Sequence, residues 1–152
     1  MNFKIYLEQK EIEEEKNVKK MLSSLPKKHK KLLDGYKFTF TPGNVLNGDN
    51  QHIGYIHNNK IVVAAPWNYS RGFTTLHEIA HLVWDHLMTP ELKKEWTNLL
   101  KKAKKEMKKS DSLNQNDEEI FCMAYATAYA KHPPITYMNE KLQNFIKYKI
   151  PN

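Results

Sequence analysis

The sequence feature that most constrains the fold is a helical run of apolar residues that also carries two histidines and a glutamate. Residues 71–87 repeat apolar side chains every three or four positions, which predicts a helix of about 17 residues. Within it, the segment His77-Glu78-Ile79-Ala80-His81 stacks the two imidazoles on one face, one turn apart. Two imidazoles so placed can share a tetrahedral metal ion, whereas without a metal they would be buried polar groups beside a carboxylate. The pattern therefore predicts a zinc site.

Glu78 is the residue in this segment that points to chemistry as well as structure. It is rotated about 100° from His77, too far round the helix to be the natural third ligand but close to the metal. A general base acting on a metal-activated water would stand in this place. Asp85, one turn beyond His81, has two interpretations: it orients a ligand imidazole through the second ring nitrogen, or it is an exposed acid near the helix end.

A catalytic zinc normally has three protein ligands, so one more must come from elsewhere in the chain. Glu118 and Glu119 stand at the start of a later apolar helix, where an acid facing inward requires a partner. Each has another explanation, because Glu119 can complete a capping box with Asn116 and Glu118 can interact with the helix dipole. The spacing alone leaves both open as the third ligand.

The rest of the chain predicts an α+β fold in a single domain, residues 1–152. Apolar and polar residues alternate at 36–41, and the segments 53–57 and 60–65 flank Asn58-Asn59, a pair that suits a hairpin turn. These segments predict a small, mainly antiparallel sheet of about three strands, with a loop before residue 53. Capping signals and apolar periodicity predict further helices. These helices are expected at 8–24, at 27–33, from Pro90 past 103, at 117–130 and at 139–150.

Charge and cysteine content narrow the class of function. The chain has 24 Lys and Arg against 17 Asp and Glu, a formal net charge of +7, yet Arg71 is its only arginine. Because proteins that read nucleic acid usually use arginine, the lysines at 101–109 are interpreted first as a solvated helix face, with nucleic-acid binding as an accessory function at most. The single cysteine, Cys122, excludes an intramolecular disulfide and is expected to be a small buried hydrophobe.

The N-terminal segment 1–16 lacks the apolar run of a secretory signal, and no window approaches the ~18 apolar residues of a membrane span. We therefore expect a cytoplasmic protein with no membrane partner, although delivery by a route that needs no signal stays open. The oligomeric state is left undetermined by the sequence.

Three segments together resemble a known family of zinc proteases. HEIAH at 77–81, the acid Asp85, and NDEEIFCMAYATAYA at 116–130 ahead of Pro134-Ile135-Thr136-Tyr137 resemble the catalytic domain of anthrax lethal factor and the related Pro-Pro endopeptidases. The resemblance covers about 22–150 and implies a minimal gluzincin-like zincin, with the sheet packed on a helical body that carries the motif. In that family the ligand glutamate directly precedes an aromatic and small-residue run, which implies Glu119 as the third ligand here.

The resemblance implies a zinc-dependent endopeptidase acting on a protein or peptide, with Glu78 as the catalytic base and the zinc on His77, His81 and Glu119. An extended substrate is expected to pair with one strand of the hairpin, with Lys60–Ala65 as the first choice. Two alternatives remain open. One is a non-catalytic binding module with the zincin fold, and the other is an intracellular protease of mobile elements that cleaves a repressor.

The chain departs from the family pattern at the position of a catalytic tyrosine. The family places this tyrosine seven residues before the ligand glutamate, where this chain has Ser112. The candidates to stabilise the oxyanion in its place are Tyr55, Tyr69 and Tyr137. Without such a group, turnover would be weaker than in the relatives.

Overall fold

Six helices and five strands make up the part of the chain that the structure describes. The structure is a computed structural model, and the described residues are 15–42, 45–47, 50–52, 54–65, 71–106, 115–130 and 139–152. The helices are α1 (15–23), α2 (Lys27–Lys31), α3 (Arg71–His86), α4 (Pro90–Glu106), α5 (Asp117–Tyr129) and α6 (Glu140–Tyr148). The strands are β1 (Lys37–Pro42), β2 (Val45–Asn47), β3 (Asn50–His52), β4 (Gly54–His57) and β5 (Lys60–Ala65).

The main sheet has three strands in the order β1-β5-β4, and it is mixed instead of mainly antiparallel. β4 and β5 form the expected antiparallel hairpin, in which Asn58 and Asn59 have φ angles of 48° and 58°, as a tight primed turn requires. β1 runs parallel to β5, with Lys37 opposite Lys60. Period-two alternation tells which face a side chain occupies but not the strand direction, so this pairing was not predictable from the pattern.

The segment between β1 and β4 contains a second, two-stranded sheet where the sequence predicted a loop. β2 pairs antiparallel with β3, with Leu46 opposite Gln51. In the sequence, β2, β3 and β4 come between β1 and β5. They provide the long connection that two parallel neighbouring strands need. The order also makes β5 the central strand, with both edges paired. The expectation that Lys60–Ala65 takes up an extended substrate is therefore wrong, and the edge strands are β1 and β4.

α3 is the central element of the fold. It packs most extensively against α5 and also lies against β5 and β4. Its buried apolar positions recur at three- and four-residue steps as predicted, and Leu76, Ile79, Ala80 and Val83 are 0% exposed. The sheet face that meets this helix carries Ile61 and Val63, which are equally buried. α5 covers one side of α3 and the sheet covers another. The face of α3 that carries His77 and His81 is therefore fixed relative to the sheet edge and to the first turn of α5.

The helices predicted to start at residues 90, 117 and about 139 begin at residues 90, 117 and 140, each after a residue whose side chain caps it. Thr89 accepts a hydrogen bond from the backbone of Leu92, Asn116 from that of Glu119, and Asn139 from that of Lys141. α5 is covered on most sides, in agreement with its nearly continuous apolar sequence. Within the described part of α4, the lysines between 101 and 105 are exposed, as expected of a solvated face. Among the helices described, none has the length and apolar character needed to span a membrane.

Candidate metal centre

The two motif histidines meet Glu119 between α3 and α5. Nε2 of His77 lies 3.1 Å from Oε2 of Glu119, and Nε2 of His81 lies 3.2 Å from Oε1 of the same carboxylate. The two rings stand edge to face with centroids 5.4 Å apart, as expected for imidazoles one helical turn apart. The Glu119 carboxylate therefore bridges the Nε2 atoms of both imidazoles.

These separations suit a shared metal ion. A tetrahedral zinc with bonds of about 2.0–2.1 Å to nitrogen or oxygen keeps neighbouring donor atoms about 3.3 Å apart. The measured 3.1 Å and 3.2 Å between the imidazole nitrogens and the carboxylate oxygens are close to that spacing. Two imidazoles and one carboxylate are also a ligand set that catalytic zinc commonly uses. The chemistry of these residues and the two nitrogen–oxygen spacings thus fit a zinc ion.

Glu118 contacts the same pair of helices in a different way. Its Oε1 accepts a hydrogen bond from Nδ1 of His81 at 3.0 Å, on the far side of the ring from Glu119. A proton held on Nδ1 leaves Nε2 as the metal-binding nitrogen, because in a neutral imidazole only one ring nitrogen keeps a lone pair. The structure thus brings both glutamates to the site but gives them different partners. Glu119 faces the Nε2 atoms of both imidazoles, and Glu118 holds the Nδ1 side of one ring.

Burial and hydrogen bonds shift the pKa values of Glu119 and His81 from their usual values. Hydrogen bonds from His77 and His81 hold the pKa of the Glu119 carboxyl far below its usual range. Burial alone lowers the pKa of His81, but its hydrogen bonds with Cys122, Glu119 and Glu118 outweigh burial and raise that pKa above the usual value. Glu119 is consequently an anion at neutral pH, which is the form that binds a cation.

Glu78 lies beside this group, on the side of α3 that faces β4. It is 6% exposed, and its carboxylate packs against the backbone of Gly54. A Cβ at that glycine would lie 3.1 Å from Cγ and 3.2 Å from Oε1 of Glu78, and 2.9 Å from the carbonyl oxygen of Val62. The absence of a side chain at residue 54 is what lets the sheet edge approach the carboxylate so closely. Two elements therefore fix the position of Glu78.

Cys122 is a member of the site that the sequence interpretation missed. It is fully buried, as expected. Its sulfur also lies near both imidazoles, since the ligand atoms of His77, His81 and Cys122 are all within 4.8 Å of one another. Burial raises the pKa of the thiol to about 12. The signal was available, because Cys122 follows Glu119 by three residues and shares its helix face.

Asp85 is not placed to orient a ligand imidazole. It is exposed near the end of α3, and within the described residues it makes no hydrogen bond to His77 or His81. The helix-end interpretation is therefore the one the structure supports. The predicted orienting role falls to Glu118, which approaches from α5 and could not be chosen on α3 spacing alone.

The candidate tyrosines divide between described and undescribed parts of the chain. Tyr69, Tyr137 and the Ser112 position lie outside the described residues. Tyr55 borders the cleft, yet strand alternation directs its side chain away from α3, because the neighbouring Gly54 faces Glu78. Tyr55 is therefore a poor candidate for stabilising the oxyanion.

A cleft of about 740 Å³ opens directly over the centre. Its walls are the side of α3 that carries His77, Glu78 and His81, the strand β4 and the first turn of α5. Thr74, one turn before the motif, contributes a buried hydroxyl that has no hydrogen-bond partner among the described residues. Such a group can bind a ligand without first giving up another bond. The lining side chains include both apolar and polar types, namely Tyr36, Ile56, Phe73, Leu82, His86, Gln115 and Met123.

The chain was compared with protein-family models, with curated protein sequences and with solved structures, and none of the three comparisons found a match.

Proposed function

We propose that the protein is a zinc-dependent endopeptidase of the minimal gluzincin type. One observation carries the proposal: a carboxylate from α5 bridges the Nε2 atoms of His77 and His81, and Glu78 lies beside them, almost fully buried, at the floor of an open cleft. A purely structural metal site has no need of an acid at the position of Glu78 or of a cleft above it. His77, His81 and Glu119 would hold the zinc.

The chemistry divides between the metal and Glu78. When bound, zinc supplies Lewis acidity toward the scissile carbonyl and lowers the pKa of water. The Glu78 carboxylate accepts one proton from the attacking water and delivers it to the amide nitrogen as the C–N bond breaks. Its packing against Gly54 holds the carboxylate in one place throughout, which is the condition for efficient transfer in both directions.

The cleft indicates how a peptide would be held. β4 is one of the two edge strands of the three-stranded sheet, and it forms one wall of the cleft beside Glu78. An edge strand offers unpaired backbone groups, so an extended peptide can pair with it and lay its scissile bond across the centre. We therefore assign substrate binding to Gly54–His57 in place of β5. A protein or peptide with an unfolded, extended segment is the substrate class that fits.

The test is metal analysis together with cleavage of a peptide library by the wild-type protein and by Glu78→Gln. We expect one zinc per chain in both proteins and cleavage by the wild type only. Glu91→Gln, which makes the same change at an exposed position of α4, should cleave like the wild type. Equal cleavage by Glu78→Gln and wild type would remove Glu78 from the mechanism. Zinc binding without cleavage by any form would favour the non-catalytic binding module.

A further inference from the structure

The donors around the two imidazoles are arranged from the surface inward. Glu118 and Glu119 have side chains 36% and 34% exposed, His81 and His77 are 25% and 17% exposed, and Cys122 is 0% exposed. An ion held between the imidazoles therefore meets carboxylates on its solvent side and a thiol on its protein side. The proposed protease chemistry makes no use of that thiol.

The distance between the thiol and the imidazoles is compatible with coordination. Zinc–sulfur bonds of about 2.3 Å and zinc–nitrogen bonds of about 2.0 Å keep sulfur and nitrogen roughly 3.6 Å apart in a tetrahedral site. The ligand atoms of His77, His81 and Cys122 lie within 4.8 Å of one another without a metal, so a closure of about 1 Å suffices. A rotation of the cysteine side chain or a small tilt of an imidazole provides such a movement.

We propose that Cys122 is itself a ligand of the metal, contributed from the buried side of the site. With His77, His81 and Glu119 it would make four protein ligands, so the water of the proposed reaction would need a fifth position, which zinc can provide. This inference rests on the proposed zinc site at His77 and His81 but not on any cleavage by it. Coordination replaces the thiol proton with the metal, and the proton leaves to solvent. A thiolate donor also selects the metal: zinc, cobalt and cadmium are favoured, whereas magnesium, calcium and manganese, which prefer oxygen, are disfavoured.

Spectroscopy of the metal-loaded protein tests this ligand directly, because Cys122 is the only cysteine in the chain. The intact protein, in buffer free of thiols, is loaded with cobalt(II) for absorption spectra and with zinc for X-ray absorption. We expect a sulfur-to-cobalt charge-transfer band in the near ultraviolet and a sulfur neighbour about 2.3 Å from zinc. Cys122→Ser and Cys122→Ala should lose both signals while the imidazoles still bind the metal.

Met123→Leu is the matched control, since it removes the adjacent sulfur, which borders the cleft, and should leave both signals intact. Circular dichroism confirms that the cysteine variants are folded. A loaded wild-type protein with no sulfur neighbour, or one whose sulfur signal disappears in Met123→Leu and not in Cys122→Ser, would overturn the proposal. If the wild type cleaves peptides with no sulfur on its zinc, only Cys122 ligation fails. If no form binds zinc or cobalt, the proposed function fails as well.

Discussion

Glu118 accepts a hydrogen bond from Nδ1 of His81 at 3.0 Å, and Glu119 meets the other nitrogen of the same ring at 3.2 Å. Two adjacent residues of α5 therefore hold one imidazole of α3 from both sides. The contact with Glu118 fixes the proton on Nδ1. The contact with Glu119 leaves Nε2 and a carboxylate oxygen facing each other where a metal would lie.

This arrangement predicts unequal effects of removing the two glutamates. We expect Glu118→Ala to weaken zinc binding by about 10- to 100-fold, because an orienting contact is lost while the ligand remains. Glu119→Ala should weaken it considerably more, since a ligand is removed. Competition with a chelator of known affinity measures both constants. Equal losses would show that the two glutamates contribute alike to zinc binding, and a larger loss for Glu118→Ala would show that their roles are reversed.

The contact between Gly54 and Glu78 predicts a loss of cleavage without a loss of metal. In Gly54→Ala the new Cβ would lie 3.1 Å from Cγ of Glu78 and 2.9 Å from the carbonyl oxygen of Val62, so the carboxylate or the strand must move. A displacement of about 1 Å in a catalytic group lowers kcat/KM by about 100-fold. We expect that loss in a peptide cleavage assay, with zinc stoichiometry unchanged.

Gly35→Ala is the control for general destabilisation. Gly35 has a φ of +84° with open space around it, so alanine there strains the backbone but lies far along the chain from Glu78. It should lower the free energy of unfolding and leave kcat/KM of the folded protein near the wild-type value. Full activity in Gly54→Ala would mean that Glu78 tolerates a different position.

The parts of this structure that the sequence predicted are those with local signals. The motif spacing places His77 and His81 on one face, and Asn116 marks the start of α5, because helical periodicity and capping act within a few residues. The parallel pairing of β1 with β5 was not predicted, since strand direction depends on how a long connection returns. The position of Cys122 beside His77 and His81 was missed for a similar reason, although the face it shares with Glu119 could be read from the spacing. Its burial follows from its neighbours, but its approach to α3 depends on how the two helices pack.

The cap of α5 links stability to the metal centre. Asn116 accepts a hydrogen bond from the backbone of Glu119 at 2.8 Å, and the side chain of Glu119 turns to the histidines instead of completing a capping box. We expect Asn116→Ala to lower the free energy of unfolding by about 1 kcal/mol. It should also weaken zinc binding, because the first turn of α5 carries both glutamates. Denaturant unfolding and chelator competition measure the two effects.

Asn139→Ala provides the matched comparison. Asn139 caps α6 in the same way, through the backbone of Lys141 at 2.7 Å, on a helix that contributes nothing to the cleft. The loss of stability should be similar, about 1 kcal/mol, with zinc affinity unchanged. If both variants weakened zinc binding equally, the effect would come from global stability and not from the turn that holds Glu118 and Glu119.

His29 predicts how stability depends on pH. Its ring is 0% exposed; Nδ1 accepts a hydrogen bond from the Tyr125 hydroxyl at 2.8 Å, and Nε2 donates to the carbonyl of Pro151 at 2.9 Å. Burial lowers the pKa of His29, whereas the hydrogen bond to Pro151 raises it, and the net shift is downward. The folded protein therefore holds a neutral ring at a pH where the unfolded chain, with a pKa of about 6.5, already takes up a proton.

Because the pKa of His29 is lower in the folded protein than in the unfolded chain, stability decreases as the pH falls. The contribution of His29 to stability is complete above pH about 6.5 and decreases as the pH falls toward the lower folded-state pKa, by at most about 1.4 kcal/mol per pH unit. His29→Gln keeps a donor and an acceptor but cannot titrate, so it should be less stable than wild type at pH 7.5 and approach it at pH about 5.5. Denaturant unfolding across this range measures the difference. A constant gap in stability between wild type and His29→Gln across this range would show that His29 does not titrate differently on folding.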